Sequence, residues 1–135
     1  MRARHATRLA QILSVHGWPG KSLVGSDGAN AAFLIAQHAD HDVAFQRRCL
    51  ELMEPDTKTG EVSRIDYAYL TDRVRVNEGR PQLCGTQTER APGGRLRPKP
   101  VEDPKNLDKR RKALGLMSQR KYLRTLERLE KKPLR

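Results

Sequence analysis

The stretch ANAAFLIAQHADHDVAFQRRCLELM, residues 29–53, decides the fold. Taken at 100° per residue it is one helix, with Ala31, Leu34, Phe45, Cys49 and Leu52 along its apolar centre. His38 falls in the middle of that stripe, and Asp42, one turn on, sits on its flank. Asp40, Arg47, Glu51 and Glu54 fall on the opposite side, toward water. Pro55 and the segment EPDTKTGE (54–61) stop the helix.

Working outward toward the N-terminus, residues 3–16 form a helix with Leu9, Ile12, Leu13 and His16 on one face. Gly17 suits the position just past its end, and Pro19 forbids continuation. The loop GWPGKSLVGSDG (17–28) follows, with Ser26 or Asp27 as the next cap. Toward the C-terminus, Ser63 and Asp66 have capping spacing and open a short helix to about Arg73. Its inner face holds Ile65, Ala68, Tyr69 and Asp72. VRVNEGRPQLCGTQ (74–87) reads as a hairpin turning at Asn77–Arg80, with Val76 opposite Pro81 and Val74 opposite Leu83. Residues 88–102 read as a loose linker. Asp103-Pro104 starts a helix that ends at Gly115, and Ser118 caps a last helix with a Tyr122, Leu126, Leu129 stripe.

The expected fold is therefore mainly α: a small helical domain with one short β-hairpin over residues 1–88, then a basic linker and C-terminal helices over 89–135 that pack on the core or extend from it. With 135 residues, 36% hydrophobic and only 4% aromatic, the core must be built from Leu, Val, Ile and Ala. No apolar run approaches the roughly 20 residues that cross a bilayer, and the N-terminus does not read as a signal peptide. Two cysteines without a CxxC motif suit a reducing compartment, so a cytoplasmic protein with no membrane partner is expected. The net charge of +11 is uneven: residues 1–88 carry 11 basic against 10 acidic side chains, residues 89–135 carry 16 against 6. Such a tail suits nucleic acid or an acidic protein partner. It equally suits a solvated helical face, since the tail holds one aromatic, Tyr122, and no nucleic-acid motif.

Three titratable residues, His16, His38 and Asp72, fall on inward faces of three different elements. Buried polar groups are nearly always partnered. The economical solution is that these three meet, with His38 as acid/base, Asp72 holding its tautomer, and His16 beside them. Around them, Trp18 offers a flat wall and Gln37 and Asp42 lie near. Arg73 and Gln87 suit an anionic or amide group of a small-molecule or peptide ligand. The competing reading is that each imidazole bonds a nearby carbonyl, His16 being favoured at a helix C-terminus by the dipole. His5 and His41 read as surface residues.

The pairs His38/His41 and His38/Asp42 have ligand spacing, but HExxH is absent and the cysteines are unpaired, so no metal and no cofactor are expected. GxxxxGK[ST] fails because Val15 stands where its first glycine belongs, and GxSxG does not occur. Cys84 in QLCGTQ reads as a free, half-buried thiol.

The ordered set HGWPG (16–20), VG (24–25), FLIAQHADHDVAFQ (33–46), AYLTDRV (68–74), GRPQLCGTQ (79–87) and KRRKALGL (109–116) resembles a bacterial family of unknown function. Its members carry Gly-Trp-Pro, Gln-His-Ala-Asp, Asp-Arg and Tyr-Gly-Thr-Gln signatures in this order, and Cys84 stands where Tyr is usual. The resemblance implies that His38, Asp40, Asp42, Gln46, Asp72, Arg73 and Gln87 occupy signature positions, and it implies no activity. The expected function is an acid/base cleft for a small polar metabolite or peptide; the alternative is a non-enzymatic binding module that uses its basic tail.

Overall fold

Ala6, Leu9 and Leu13 recur on one face of the first helix, and in the computed structural model, which describes residues 2–131, that face is buried. This helix, α1 (Arg2–His16), ends where Gly17 takes a φ of 70° and its N–H bonds Leu13 O at 3.0 Å. His16 stands in the last turn and is exposed, not inward. The carbonyl end of the helix, rather than a core partner, accounts for an imidazole there.

α2 (Lys21–Gln37) begins inside what reads as a loop. Its opening turn breaks at Gly25 (φ 77°, ψ 169°), and the helix proper then buries Ala32, Phe33 and Ala36. The single helix expected over 29–53 is two. α2 stops at Gln37 and α3 (Val43–Met53) starts afresh, because Asp42 leaves helical geometry (φ −142°) and its Oδ1 accepts the N–H of Phe45 at 3.0 Å. From α3, Gln46 reaches back and donates Nε2 to Ala36 O at 3.1 Å and Gln37 O at 3.2 Å, which satisfies the closing carbonyls of α2. The break resets the helical phase. Phe45 and Cys49 are buried as expected, but Ala31 and Leu34 are exposed, and Ala32, Phe33 and Ala36 take their place.

A single 3₁₀ turn (Glu54–Thr57) leads to α4 (Arg64–Asn77), capped by Ser63 Oγ accepting from Asp66 N at 3.3 Å. The hairpin expected over 74–87 is not there. α4 runs on to Asn77, and Gly79 (φ 74°) ends it while Arg80 N bonds Arg75 O at 2.8 Å. Val74 and Val76 thus belong to a helix, where tertiary packing overrides their β preference; Val74 is buried. The hairpin lies in the segment that reads as linker: β1 (Thr88–Arg90) pairs antiparallel with β2 (Leu96–Pro98), Glu89 opposite Arg97. A 3₁₀ turn (Pro104–Asn106) then opens into α5 (Leu107–Ala113), followed by α6 (Gln119–Lys131) after Gly115. Ser118 Oγ caps α6 by accepting from Lys121 N at 3.2 Å, as its position predicts.

The result is a mainly α domain with one two-stranded antiparallel hairpin. One apolar core gathers Leu9 and Leu13 of α1, Trp18, Phe33 of α2, Phe45, Cys49 and Met53 of α3, Val62, and Leu70 and Val74 of α4. Every member of that core precedes Gly79 in the chain. Among the described residues, no helix is long and apolar enough to cross a membrane.

Candidate functional site

Asp72 is buried on the inner face of α4, and its partners come from the segment QLCGTQ rather than from a histidine. Oδ1 accepts the N–H groups of Leu83 at 2.8 Å and Cys84 at 3.0 Å; Oδ2 accepts Thr86 N at 3.1 Å and Thr86 Oγ1 at 2.8 Å. One carboxylate thus satisfies the backbone of a loop with no strand or helix to do so. Gln82 closes the same loop. Its Nε2 donates to Gln87 O at 2.8 Å and Lys99 O at 2.9 Å, and its Oε1 accepts Gln87 N at 2.9 Å.

The C-terminal helices grip the loop's carbonyls. Arg111, buried on α5, donates Nη1 to Cys84 O at 2.6 Å and Nε to Met117 O at 2.7 Å. Its guanidinium lies 4.8 Å from the ring centre of Tyr122, a cation–π contact in a desolvated place. Arg110 donates Nε to Leu83 O at 2.8 Å, and Tyr122 donates its hydroxyl to Thr86 O at 3.1 Å. Burial, reinforced by Tyr69, pushes the Tyr122 hydroxyl well above its ordinary range, so it stays a neutral donor. Gly85 suits this place because its φ of 65° is left-handed backbone that other residues rarely adopt, and Gln119 packs where a Cβ would stand.

Against this loop lies a cleft of about 370 Å³. Ala68 and Asp72 of α4, Leu83, Cys84 and Leu114 form its inner part, Tyr67 a wall, and Glu54 and Arg64 its polar edge. Burial, and then the charge of Asp72, push the Cys84 thiol above its usual value, so it is held as a neutral thiol and a weak nucleophile. Burial does the same to Cys49 in the core, pushing it up to about 12.

A second polar cluster joins α2, α3 and α4. Arg73 forks onto Asp40, Nε to Oδ1 at 2.9 Å and Nη2 to Oδ2 at 2.6 Å. Asn77 Nδ2 donates to Asp40 Oδ1 at 2.8 Å and to the buried Gln46 Oε1 at 3.1 Å, and Gln46 Nε2 reaches Asp40 Oδ1 at 3.2 Å. The Arg73 guanidinium holds the Asp40 carboxyl well below the ordinary carboxylate range, and Asp40 in turn raises Arg73. Asp40, read as a water-facing residue, is thus the hub of the corner between α2 and α3.

The expected triad does not assemble. His16 and His38 are both exposed and share no hydrogen bond or ion pair with Asp72; His38 Nδ1 lies 2.9 Å from Leu34 O, one turn back on its own helix. The reason is the break after Gln37, which takes the phase of His38 off the buried stripe. Asp42 is a helix cap, Gln37 lends its carbonyl to Gln46, and Gln87 answers Gln82 and donates Nε2 to Thr86 Oγ1 at 3.0 Å. Arg73 is taken by Asp40. Trp18 is buried and lines a separate, smaller cavity.

Gln82, Arg110 and Arg111 are the organising residues that residue-by-residue reading misses, and their one signal is membership of the blocks GRPQLCGTQ and KRRKALGL; Tyr122 is read only as part of the apolar stripe of the last helix. A basic run at a helix surface otherwise reads as solvated. Among the described residues, no three His, Cys, Asp or Glu side chains lie close enough together to hold a metal ion. A model of a family of unknown function, DUF6624, matches residues 1–131. No curated protein and no solved structure matches the chain.

Proposed function

The chain belongs to this family of unknown function, so its own site must carry the reading, and we propose that the protein is a binding module for a small, largely apolar molecule bearing one anionic group, held in the cleft against the 82–87 loop. The observation that carries this is the fixing of that loop: Asp72, Gln82, Arg110, Arg111 and Tyr122 all hold six residues that contribute little apolar burial. Buried polar networks specify one geometry at a cost in stability, and a loop so held is suited to present a surface. Tyr67, Leu83 and Leu114 supply the apolar body of the cleft. Arg64 at its edge makes no ion pair among the described residues and offers a planar fork for a carboxylate. What supports binding over acid–base catalysis is that Asp72 already accepts four donors and that neither histidine reaches it.

The test is a thermal-shift series with small aromatic and short-chain aliphatic carboxylates. A saturable rise in Tm, lost in both Arg64→Ala and Tyr67→Ala and accompanied by slower alkylation of Cys84, supports the reading. No shift from any member at millimolar concentration disposes of it.

A second reading concerns α6. Arg120, Lys121, Arg124 and Arg128 are all exposed and fall within a single 100° arc, a rise of ~6 Å separating each i, i+4 pair. This arc suits the phosphates of a nucleic acid backbone. Titrating a mixed-sequence duplex across a salt series separates it from a merely solvated face. Four phosphate contacts predict a log–log slope of about −3 to −4, while a flat dependence removes this reading.

A further inference from the structure

Beyond Gly79 the chain adds nothing to the apolar core. Of the buried apolar side chains among the described residues, only Cys84 and Leu107 lie past that glycine, and neither belongs to the core that gathers α1 to α4. Where the two parts face each other, space intervenes. The cleft of about 370 Å³ lies between Tyr67 and Ala68 of α4 on one side and Leu83 and Leu114 on the other. A second cavity, of about 250 Å³, lies between Val76 near the end of α4 and Pro81, Lys99 and Pro100. The ties between the parts are polar. Besides the bonds of Asp72 to the 83–86 loop, Arg75 donates Nε to Pro81 O at 2.7 Å and Nη2 to Glu102 Oε2 at 3.2 Å, and the Tyr122 hydroxyl lies beside Tyr69. Glu102 in that ion pair is more than half exposed.

The outer part, by contrast, is tied to itself. Gln82 N donates to Pro100 O at 2.9 Å and Gln82 O accepts Glu102 N at 2.8 Å, in addition to the bonds of its side chain to Gln87 and Lys99. Arg110 and Arg111 hold the carbonyls of Leu83 and Cys84, and Tyr122 holds that of Thr86. Gln119 N donates to Asp108 Oδ1 at 2.9 Å, which joins α6 to α5. The hairpin is joined to α6 by the ion pair of Arg90 with Glu130. A segment bound internally at so many points moves as one piece. The backbone between the two parts runs through Gly79, whose φ of 74° is freely adopted only by glycine.

We propose that residues 80–131 form a strap that releases from the helical core as one unit while the core stays folded, with Asp72 as its latch. Parts of a protein that bury few apolar contacts open at lower free energy than the cores they rest on, and they do so in contiguous cooperative units. When the strap lifts, the Asp72 carboxylate and the N–H groups of Leu83, Cys84 and Thr86 exchange one another for water, and the apolar core loses no member. Arg110, Arg111 and Gln82 keep their partners, which travel with them. The cleft is dismantled at the same time, because Leu83, Cys84 and Leu114 leave with the strap. The position of the strap thus decides whether the cleft exists. No ligand takes part in the release, so it stands whether or not that cleft binds an acid.

Hydrogen–deuterium exchange of the full chain, followed peptide by peptide at low urea concentrations, tests this. Amides of the 83–86 loop, α5 and the interior of α6 should share one opening, with about tenfold or more less protection than the best protected amides of α3 and α4. They should also share one shallow urea dependence, since release exposes less surface than global unfolding. Two substitutions then act asymmetrically. Asp72→Asn weakens the docked state alone, so it should speed strap and core exchange alike, by about thirtyfold. Leu13→Ala weakens the core, which is intact whether the strap is docked or released, so it should speed core exchange by about thirtyfold or more and leave strap exchange unchanged. Arg75→Ala, which removes the ties to Pro81 and Glu102, replaces Asp72→Asn if that variant does not fold, and Leu13→Val replaces Leu13→Ala, each with a smaller factor. The proposal is overturned if strap and core exchange through one opening with one urea slope, if the loop, α5 and α6 show different slopes, or if the Leu13 variant speeds the strap as much as the core.

Discussion

Between Ala6 and Val74 the chain is held by apolar side chains; between Gln82 and Tyr122 it is held by polar ones. In the first region Leu9, Leu13, Phe33, Met53 and Leu70 fill one core, with a polar cluster at Asp40 and Gln46 pinning the corner between α2 and α3. In the second, the fully buried positions include Gln82 and Arg111, and the loop they hold is tied across to Asp72 of α4 through the N–H groups of Leu83, Cys84 and Thr86. The lesson is that the two halves fail differently. An apolar core tolerates any filler of the right volume, whereas a polar network tolerates only partners that keep every donor and acceptor satisfied.

The largest expected effect is at the join. Asp72→Ala strands three backbone N–H groups and a hydroxyl in the interior and should lower stability by about 3–5 kcal/mol in urea unfolding. Next comes a paired comparison. Leu70→Ala should cost about 2–4 kcal/mol but Leu70→Met less than ~1.5, since only volume is at stake there. Asp72→Asn, equally conservative in shape, should still cost about 2 kcal/mol or more, because its amide nitrogen cannot accept. If both conservative replacements are equally mild, the contrast between the halves collapses.

A smaller effect concerns the Asp40 hub. Its carboxyl is depressed in the folded state by Arg73, so its contribution is fully present above the ordinary value of 3.8 and is lost as pH falls below it. Asp40→Asn should therefore be less stable than the parent at neutral pH and converge with it in acid. Asp40 is 42% exposed, and solvent screening limits the gap to about 1 kcal/mol. The smallest effect is Arg47→Ala at the pair with Glu78. Arg47 is more than half exposed, and the change should stay within ~0.5 kcal/mol by the same measurement.

The same division explains what was legible in the residues. The C-terminal end of α1, the start of α6, the Ser63 cap, the inward face of Ala68 and Asp72 and the burial of Phe45 and Cys49 all follow from local spacing and capping chemistry. The break at 38–42 was also written locally, since Asp42 is a good cap, but the apolar periodicity on both sides masks it. The hairpin at 88–98 was not legible: its strands are three residues each, too short to show alternation, while Val74 and Val76 mimic a strand inside a helix.

By itself the sequence determined the helical character of the chain, the order of most helices and the inward placement of Asp72, because each depends on side chains within a turn or two of one another. Only the tertiary structure decided what Asp72 and Asp40 touch, that His16 and His38 stand in solvent, and that two arginines from a basic run are turned onto a loop more than twenty residues earlier. Such pairings depend on which unsatisfied groups the folded chain leaves facing each other, and that complementarity leaves no period in the residues that make it.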